Sequence, residues 1–239
     1  MEKIDCMVEK LRQQMVKLYL EEGCLGHEKL LQKSQELDEL LNSFYDPRGL
    51  AARTGTAGDL ITAALNKKSL IDEDRVLKIR KLCARIGREI CLRPQQRCKL
   101  DLLARMNNLG MLAVPRHILD KKEPLTETEL STLRRYPENG YHIALCLESL
   151  SGVADLILNH REHWDGSGYP RGLSREEIPL ECRVFAIVEA YCIMTGSRPR
   201  RLIRSNNEAL TELKHCSGSQ FDPWLVSVFC KVAVCESDK

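Results

Sequence analysis

The apolar residues of this chain recur at the spacing of an α-helix. Between residues 3 and 21 they alternate four and three positions apart, which places them on one side of a helix: Ile4, Val8, Leu11, Met15 and Leu18. Strand-like alternation is scarce along the whole sequence. The sequence therefore predicts an all-α fold.

A second apolar stripe follows a short turn that contains Gly23 and Gly26. Its apolar members are Leu30, Leu37, Leu41 and Phe44. Ser34 occupies the matching polar position. Two amphipathic helices joined by a short loop form an antiparallel hairpin. We expect this N-terminal two-helix hairpin to span residues 1–46 and to end at the turn that begins with Asp46.

The stretch after the hairpin has the composition of a linker. Residues 47–70 include Thr54-Gly55-Thr56-Ala57-Gly58, with room for a short helix over 59–66. Helical patterns dominate again from about residue 70. We therefore predict a second, larger helical domain over residues 71–239.

Charge and apolar patterning exclude several classes of partner. The formal net charge is +2, with −4 in residues 1–46 and +6 in the remainder. We expect neither a nucleic-acid nor a membrane partner. No apolar run resembles a signal peptide or approaches the ~18 residues of a membrane span, so a cytoplasmic protein is expected.

The 11 cysteines of the chain contain no C-x-x-C pair and are interpreted as small buried hydrophobes.

The most specific string runs from His160 to Pro170 and ends in Asp-Gly-Ser-Gly-Tyr-Pro. This string resembles the signature of the HD-GYP family, with a loop formed by Asp165, Gly166, Gly168, Tyr169 and Pro170. Ordered matches flank it at Pro115, Ile118, Leu119, Leu125, Thr126, Glu129, Gly140, Ile178, Pro179, Leu180, Arg183, Arg198, Pro199, Gly218, Gln220, Phe221, Asp222, Pro223 and Phe229. The resemblance implies an HD-GYP-like helical bundle. It also implies a divalent metal centre that hydrolyses cyclic di-GMP or related dinucleotides.

That chemistry needs imidazoles and carboxylates around the metals. The family's HD pair falls on Asn107 and Asn108, and the lysine after that pair falls on Met111. The histidine of its HP element falls on Tyr136, and the paired histidines before GYP fall on His160 and Arg161. Its later metal-binding aspartate falls on Glu189, and an upstream histidine falls on Asp72. Amides replace imidazole and carboxylate poorly, and the Arg161 cation would repel a metal. We therefore predict a degenerate site that holds no metal and has no phosphodiesterase activity.

Two roles remain open for such a domain. It could sense a small anionic ligand or dock an acidic protein, and the basic run Arg198, Arg200, Arg201 and Arg204 supplies suitable charge. The same run is equally consistent with a solvated charged face. His160 is expected to be a core residue, and the GYP loop a turn framework.

The second helix of the hairpin contains Ser34-Gln35-Glu36-Leu37-Asp38. Over about residues 3–45 the chain resembles the short sporulation-associated aspartyl-phosphate phosphatases that carry an S-Q-E-L-D motif. These two-helix proteins dephosphorylate the sporulation master response regulator of Gram-positive spore formers. The resemblance implies a response-regulator receiver domain as partner.

The spacing of the motif suits that chemistry. Asp38 lies four positions after Ser34 and three after Gln35, so the three side chains share one helix face. The receiver would supply magnesium, this chain would bind no cofactor, and the visiting helix would orient the attacking water. We predict that Asp38 is essential and that Gln35 and Ser34 shape the patch. Alternatively, the hairpin only docks a receiver or another helix. A further alternative is that the degenerate domain mainly drives formation of a homodimer and places two hairpins side by side, with exposed apolar seams that favour association.

Overall fold

The structure, a computed structural model, describes residues 72–196 and 204–234. Within these ranges the chain is helical, apart from one isolated bridge between Ser217 and Phe221. The all-α prediction is therefore confirmed for the described part. The predicted hairpin with Ser34, Gln35 and Asp38, and the predicted linker over 47–70, lie outside the described residues.

The helices follow one another with short connections. They are α1 (Glu73–Glu89), α2 (Pro94–Met106), α3 (Arg116–Leu119), α4 (Glu127–Arg134), α5 (Tyr136–Leu145), α6 (Glu148–Ser151), α7 (Ala154–Asn159), α8 (Leu180–Thr195), α9 (Asn206–His215) and α10 (Pro223–Val234). Short 3-10 helices span Leu109–Ala113 and Arg175–Glu177. No helix among the described residues is both long enough and apolar enough to cross a membrane.

Helix α8 lies at the centre of the core. It is apolar on most of its circumference, as expected of a helix with neighbours on several sides. Its buried side chains include Val184, Phe185, Ile187, Val188 and Tyr191. It contacts α1, α2, α7, α9 and α10. Most side chains near the middle of α8, including Glu189, are therefore buried by the other helices.

Helix α1 packs on α8 through a stripe formed by Ile79, Leu82, Cys83 and Ile86. It begins at an N-cap, Asp72, whose Oδ1 accepts a hydrogen bond from the Arg75 backbone N–H at 3.1 Å. Asp72 aligned with a histidine of the resembled family. In the structure it caps the helix.

Two glycines allow the 3-10 helix at Leu109–Ala113 to touch the backbone of α5. A Cβ atom added to Gly110 would lie 1.7 Å from the Tyr136 carbonyl oxygen and 2.6 Å from the Gly140 nitrogen. A Cβ added to Gly140 would lie 2.8 Å from the Ile157 side chain. This backbone contact brings the end of α2 close to the start of α5.

A smaller apolar cluster, which includes Tyr136, lies next to that contact. Its buried residues are Val114, Ile118 and Tyr136, and Met111, Leu119, Leu125 and Leu133 pack against them. Helix α4 begins beside it with a capping box between Thr126 and Glu129, which accounts for the Leu-Thr-x-x-Glu pattern in the sequence.

Candidate functional site

His160 lies in the turn that ends α7 and is buried. Its Nδ1 is 2.6 Å from the Ile157 carbonyl oxygen, which can only accept, so Nδ1 carries the proton. Its Nε2 is 2.7 Å from the Tyr136 hydroxyl and therefore accepts a hydrogen bond from it. Both ring nitrogens are thus occupied, and His160 has no lone pair left for a metal ion.

Arg161 extends this chain of hydrogen bonds to α8. Its Nε donates to the Tyr136 hydroxyl oxygen. Its Nη1 and Nη2 donate to the two carboxylate oxygens of Glu189 at 2.7 and 2.9 Å. The pair is bidentate and largely enclosed, with side-chain exposures of 29% for Arg161 and 10% for Glu189.

The electrostatics of the cluster follow from this geometry. Burial, helped by the Arg161 charge, lowers the pKa of His160 to about 3, so the ring is neutral at physiological pH. Burial, together with the Glu189 charge, raises the pKa of Tyr136. Burial alone would lower the pKa of Arg161, but the Glu189 carboxylate and the Tyr136 oxygen outweigh it and raise that pKa. Arg161 therefore stays a cation beside its carboxylate partner.

The asparagines at the predicted HD positions lie at the end of α2 and at the start of the 3-10 helix that follows it. Asn107 is buried at the C-cap of α2, and its Nδ2 donates to the Ala104 carbonyl at 2.9 Å. Asn108 precedes the 3-10 helix, and its carbonyl accepts from the Met111 backbone N–H. The Met111 side chain packs in the smaller apolar cluster with Tyr136. These residues therefore act as helix-end and packing elements.

The residues at the predicted metal-site positions do not fit the divalent metals that the resemblance implies. The lone pair of His160 and both oxygens of Glu189 already accept hydrogen bonds, and the Asn107 amide nitrogen donates to the Ala104 carbonyl. Across residues 72–196 and 204–234, no group of three or more His, Cys, Asp or Glu side chains could hold a metal ion. The cationic centre of the cluster is the Arg161 guanidinium.

The GYP loop is organised around a residue that the sequence analysis did not single out. Glu162 is buried, and its two carboxylate oxygens accept backbone N–H groups of Arg171 at 2.7 Å and Leu173 at 3.1 Å. Gly168 lies so close that an added Cβ would be 2.2 Å from the His163 nitrogen. A glutamate just ahead of a glycine-rich loop is the sequence signal that could have found this anchor.

The rest of the loop is fixed by local turns and by the segment before α10. Gly166 has φ +83°, and the Asp165 carboxylate accepts the Ser167 backbone N–H at 2.9 Å. Trp164 and Asp165 donate backbone N–H groups to the carbonyls of Gln220 and Ser219. The loop therefore has the turn framework predicted for it.

Arg183 stabilises the same region from α8. Its Nη1 lies 2.8 Å from Asp222 Oδ2, in a pair that is almost fully enclosed. Its guanidinium lies 5.7 Å from the Trp164 ring centroid. Tyr169 and Pro170, joined by a cis peptide bond, end the loop, and Arg134 lies 6.0 Å from the Tyr169 ring centroid.

The predicted basic run is only partly described. Arg198, Arg200 and Arg201 lie outside the described residues. Arg204 forms an ion pair with Glu212 at 2.9 Å. The one described member of the run is therefore already matched by a carboxylate, and a ligand role for the run stays a prediction.

The helical bundle and the loop that ends in Gly168-Tyr169-Pro170 together define the class of this domain. The HD domain family matches residues 59–225, so the chain belongs to that family. The family described as Spo0E like sporulation regulatory protein matches residues 7–46.

Curated relatives point to the same class. The chain is 36% identical over 127 residues to a cyclic di-GMP phosphodiesterase of Pseudomonas aeruginosa, covering 53% of this chain and 30% of the relative. It is 31% identical over 153 residues to a cyclic di-GMP phosphodiesterase of Thermotoga maritima, covering 63% and 42%. The chain thus spans less than half of the length of these relatives.

Solved structures share the fold. A cyclic GMP-AMP specific phosphodiesterase of V. cholerae superposes with a TM-score of 0.56 at 20% identity, covering 73% of this chain and 47% of that chain. An HDG"Y"P protein from Bdellovibrio bacteriovorus superposes with a TM-score of 0.52 at 12% identity, covering 96% and 71%. At these identities the likeness concerns the fold alone.

Proposed function

We propose that this chain is a signalling regulator of a sporulation-type phosphorelay that dephosphorylates the aspartyl phosphate of a response regulator. The observation that carries the proposal is the match of residues 7–46 to the Spo0E-like family, because that segment contains the Ser-Gln-Glu-Leu-Asp motif. The partner is the receiver domain of that regulator.

The motif supplies what such a reaction needs from a visiting helix. An aspartyl phosphate is already activated, and the receiver's own magnesium neutralises the charge that develops on the phosphoryl group. Asp38 and Gln35 position the attacking water, and Ser34 shapes the surface beside them. The chain itself contributes no cofactor.

The HD domain serves as a sensory or interaction module without hydrolytic activity of its own. The Arg161–Glu189 ion pair supports this part of the proposal, because a guanidinium takes up the carboxylate that a metal ion would need. The neutral, doubly hydrogen-bonded His160 supports it as well. The family's metal-dependent cleavage of cyclic dinucleotides is therefore not assigned to this chain.

The test is the rate at which a phosphorylated receiver domain loses its phosphoryl group, with and without the full chain. We expect wild-type protein to accelerate the loss and Asp38→Ala to reduce that acceleration at least about a hundredfold. Glu39→Ala, which removes the neighbouring charge outside the motif, is the matched control and should retain activity. Acceleration by Asp38→Ala equal to wild type would refute the assigned role of Asp38.

A second candidate is a non-enzymatic binding protein that docks a response regulator or another partner through its metal-free HD scaffold. The enclosed Arg161–Glu189 pair favours it, since it leaves the HD domain without a site for turnover. Receiver binding measured alongside the rate separates the two candidates. Binding without any acceleration by wild-type protein selects the docking function, whereas acceleration that depends on Asp38 selects the phosphatase.

A further inference from the structure

We propose that the outer face of α10 is a homodimer interface, in which the helix pairs antiparallel with the same helix of a second copy of this chain. The outer face consists of Trp224, Ser227, Val228 and Lys231. These residues are three or four positions apart and therefore share one side of the helix. The opposite side packs in the core through Leu225, Val226, Phe229 and Ala233. The inference goes beyond the proposed phosphatase and docking functions and depends on neither.

Trp224 is the anchor of this face. It is the most exposed large apolar side chain in the described ranges, at 55%. Its indole ring makes no hydrogen bond, ring contact or cation contact with another described residue. Burial of such a ring removes a large apolar area from water, and tryptophan is among the residues that contribute most to binding at protein interfaces.

Lys231 supplies the group that complements the ring. It lies seven positions after Trp224 on the same side of α10 and is exposed. Seven residues span roughly 10 Å along a helix. If a two-fold axis passes midway between the two positions, Trp224 of each copy lies level with Lys231 of the other. The ammonium group then meets the electron-rich face of the indole ring, and this contact forms twice in the dimer.

The middle of the face suits close helix packing. Ser227 and Val228 lie there, and their small side chains allow the helix axes to approach to about 8 Å. The Ser227 hydroxyl already donates to the Trp224 carbonyl oxygen at 2.7 Å. Its enclosure in an interface therefore leaves no unpaired donor.

The distribution of charge favours a second copy in the antiparallel direction. Lys231 is the one charged member of the outer face. A parallel pair would place the two lysines opposite each other, whereas the antiparallel pair separates them by roughly 10 Å along the helix axis. Antiparallel helices also bring opposite ends of their dipoles together. The face therefore complements itself.

The size of the face sets the expected affinity. Helix α10 has 12 residues and is roughly 18 Å long, so one helix pair buries less than the about 1,600 Å² of a standard interface. We therefore expect a weak, reversible dimer with a Kd of about 10 to 100 µM.

The test is sedimentation velocity of the full-length chain over concentrations that bracket this Kd. We expect the wild type to pass from monomer to dimer as its concentration rises. Trp224→Ala should weaken the dimer about tenfold or more, and Lys231→Gln about threefold. Ser227→Arg places two guanidinium groups at the centre of the pair and should abolish the dimer. All three residues are exposed in the single chain, and circular dichroism verifies that each variant is folded.

The matched control is Leu77→Ala, because Leu77 is also an exposed apolar residue, at 47%, but lies on α1. This variant should leave the Kd unchanged. The proposal is overturned if the wild type remains a monomer at every concentration, if the dimer survives Ser227→Arg, or if Leu77→Ala weakens it as much as Trp224→Ala does. A Kd that Lys231→Gln leaves unchanged would rule out the antiparallel pairing.

Discussion

The Arg161 guanidinium and the Glu189 carboxylate meet through two hydrogen bonds of 2.7 and 2.9 Å, one for each carboxylate oxygen. The contact joins the turn after α7 to the middle of α8, and Tyr136 at the start of α5 completes it. A protein side chain thus provides the positive charge at the point where three helical segments converge.

Removing one member of this pair should lower the free energy of unfolding more than removing both members does. Arg161→Met leaves the Glu189 carboxylate enclosed without a partner, and we expect it to lower the free energy of unfolding by about 3 kcal/mol. Arg161→Met combined with Glu189→Met removes both charges and should lose roughly half as much or less. Urea unfolding of the full chain measures both.

The exposed pair between Arg116 and Asp120 provides the comparison for that experiment. Its side chains are 67% and 62% exposed, so Arg116→Met should change the free energy of unfolding by less than about 1 kcal/mol. Equal losses in Arg161→Met and in the double variant would show that the ion pair does not hold the site together.

His160 should make the fold sensitive to mild acid. The unfolded chain takes up a proton at His160 near the ordinary pKa of 6.5, but the folded chain does so only near pH 3. His160 therefore costs no stability above pH 6.5. As the pH falls from 6.5 towards 3, the free energy of unfolding decreases, because only the unfolded chain takes up this proton. From pH 7 to pH 5 the loss should be about 2 kcal/mol.

Comparison with His160→Gln isolates this effect, because all other titrating groups are shared. The groups that face the ring are the Tyr136 hydroxyl, the Arg161 charge and the Phe185 ring. The free energy of unfolding of the variant should fall less between pH 7 and pH 5 than that of the wild type. Parallel pH profiles would mean that the buried ring is not the acid-sensitive group.

Gly110→Ala should be strongly destabilising, by at least about 3 kcal/mol, because the added methyl group would overlap the Tyr136 carbonyl oxygen. Gly152→Ala is the matched control. Gly152 has helical dihedral angles, and its added Cβ meets no atom within 4 Å. We expect this control to be neutral or slightly stabilising. Thermal unfolding compares the two variants, and equal melting temperatures would contradict the backbone contact.

Divalent metal should not stabilise the folded chain. A ligand that binds only the folded state raises the melting temperature, so added manganese should leave that temperature unchanged in the wild type. In Tyr136→His with Arg161→His, the imidazoles at these positions and His160 lie near Glu189, and we expect manganese to raise the melting temperature. Stoichiometric iron or manganese in purified wild-type protein, measured by elemental analysis, would contradict the prediction that the cluster around Arg161 and Glu189 binds no metal.

Much of the fold could be predicted from local sequence signals. The apolar stripe of α1 and the capping box of Thr126 with Glu129 each depend on residues a few positions apart. The GYP-like string likewise predicts a turn framework. In the structure Gly166 adopts φ +83°, and the Asp165 carboxylate accepts the Ser167 backbone N–H. The resemblance also pointed to Tyr136, His160, Arg161 and Glu189, which the structure brings together, whereas Asp72 only caps α1.

The partnerships within the site could not be predicted in the same way. From the sequence, the Arg161 charge is expected only to repel a metal. Arg161 and Glu189 are 28 residues apart, and their pairing depends on how α8 is rotated against the turn after α7. The ion pair between Arg183 and Asp222 has the same origin, because these residues are 39 positions apart and meet only where α8 packs beside the start of α10.

The contact between Gly110 and Gly140 has a consequence for which sequence changes the domain can tolerate. Two lengths of backbone touch there, so the junction depends on the absence of side chains and on no imidazole, carboxylate or ion. Exchanges at Asn107, Tyr136 or Arg161 can alter the chemistry of the centre while the architecture around it persists. A scaffold held together in this way can tolerate changes in the chemistry at its centre without a change of shape.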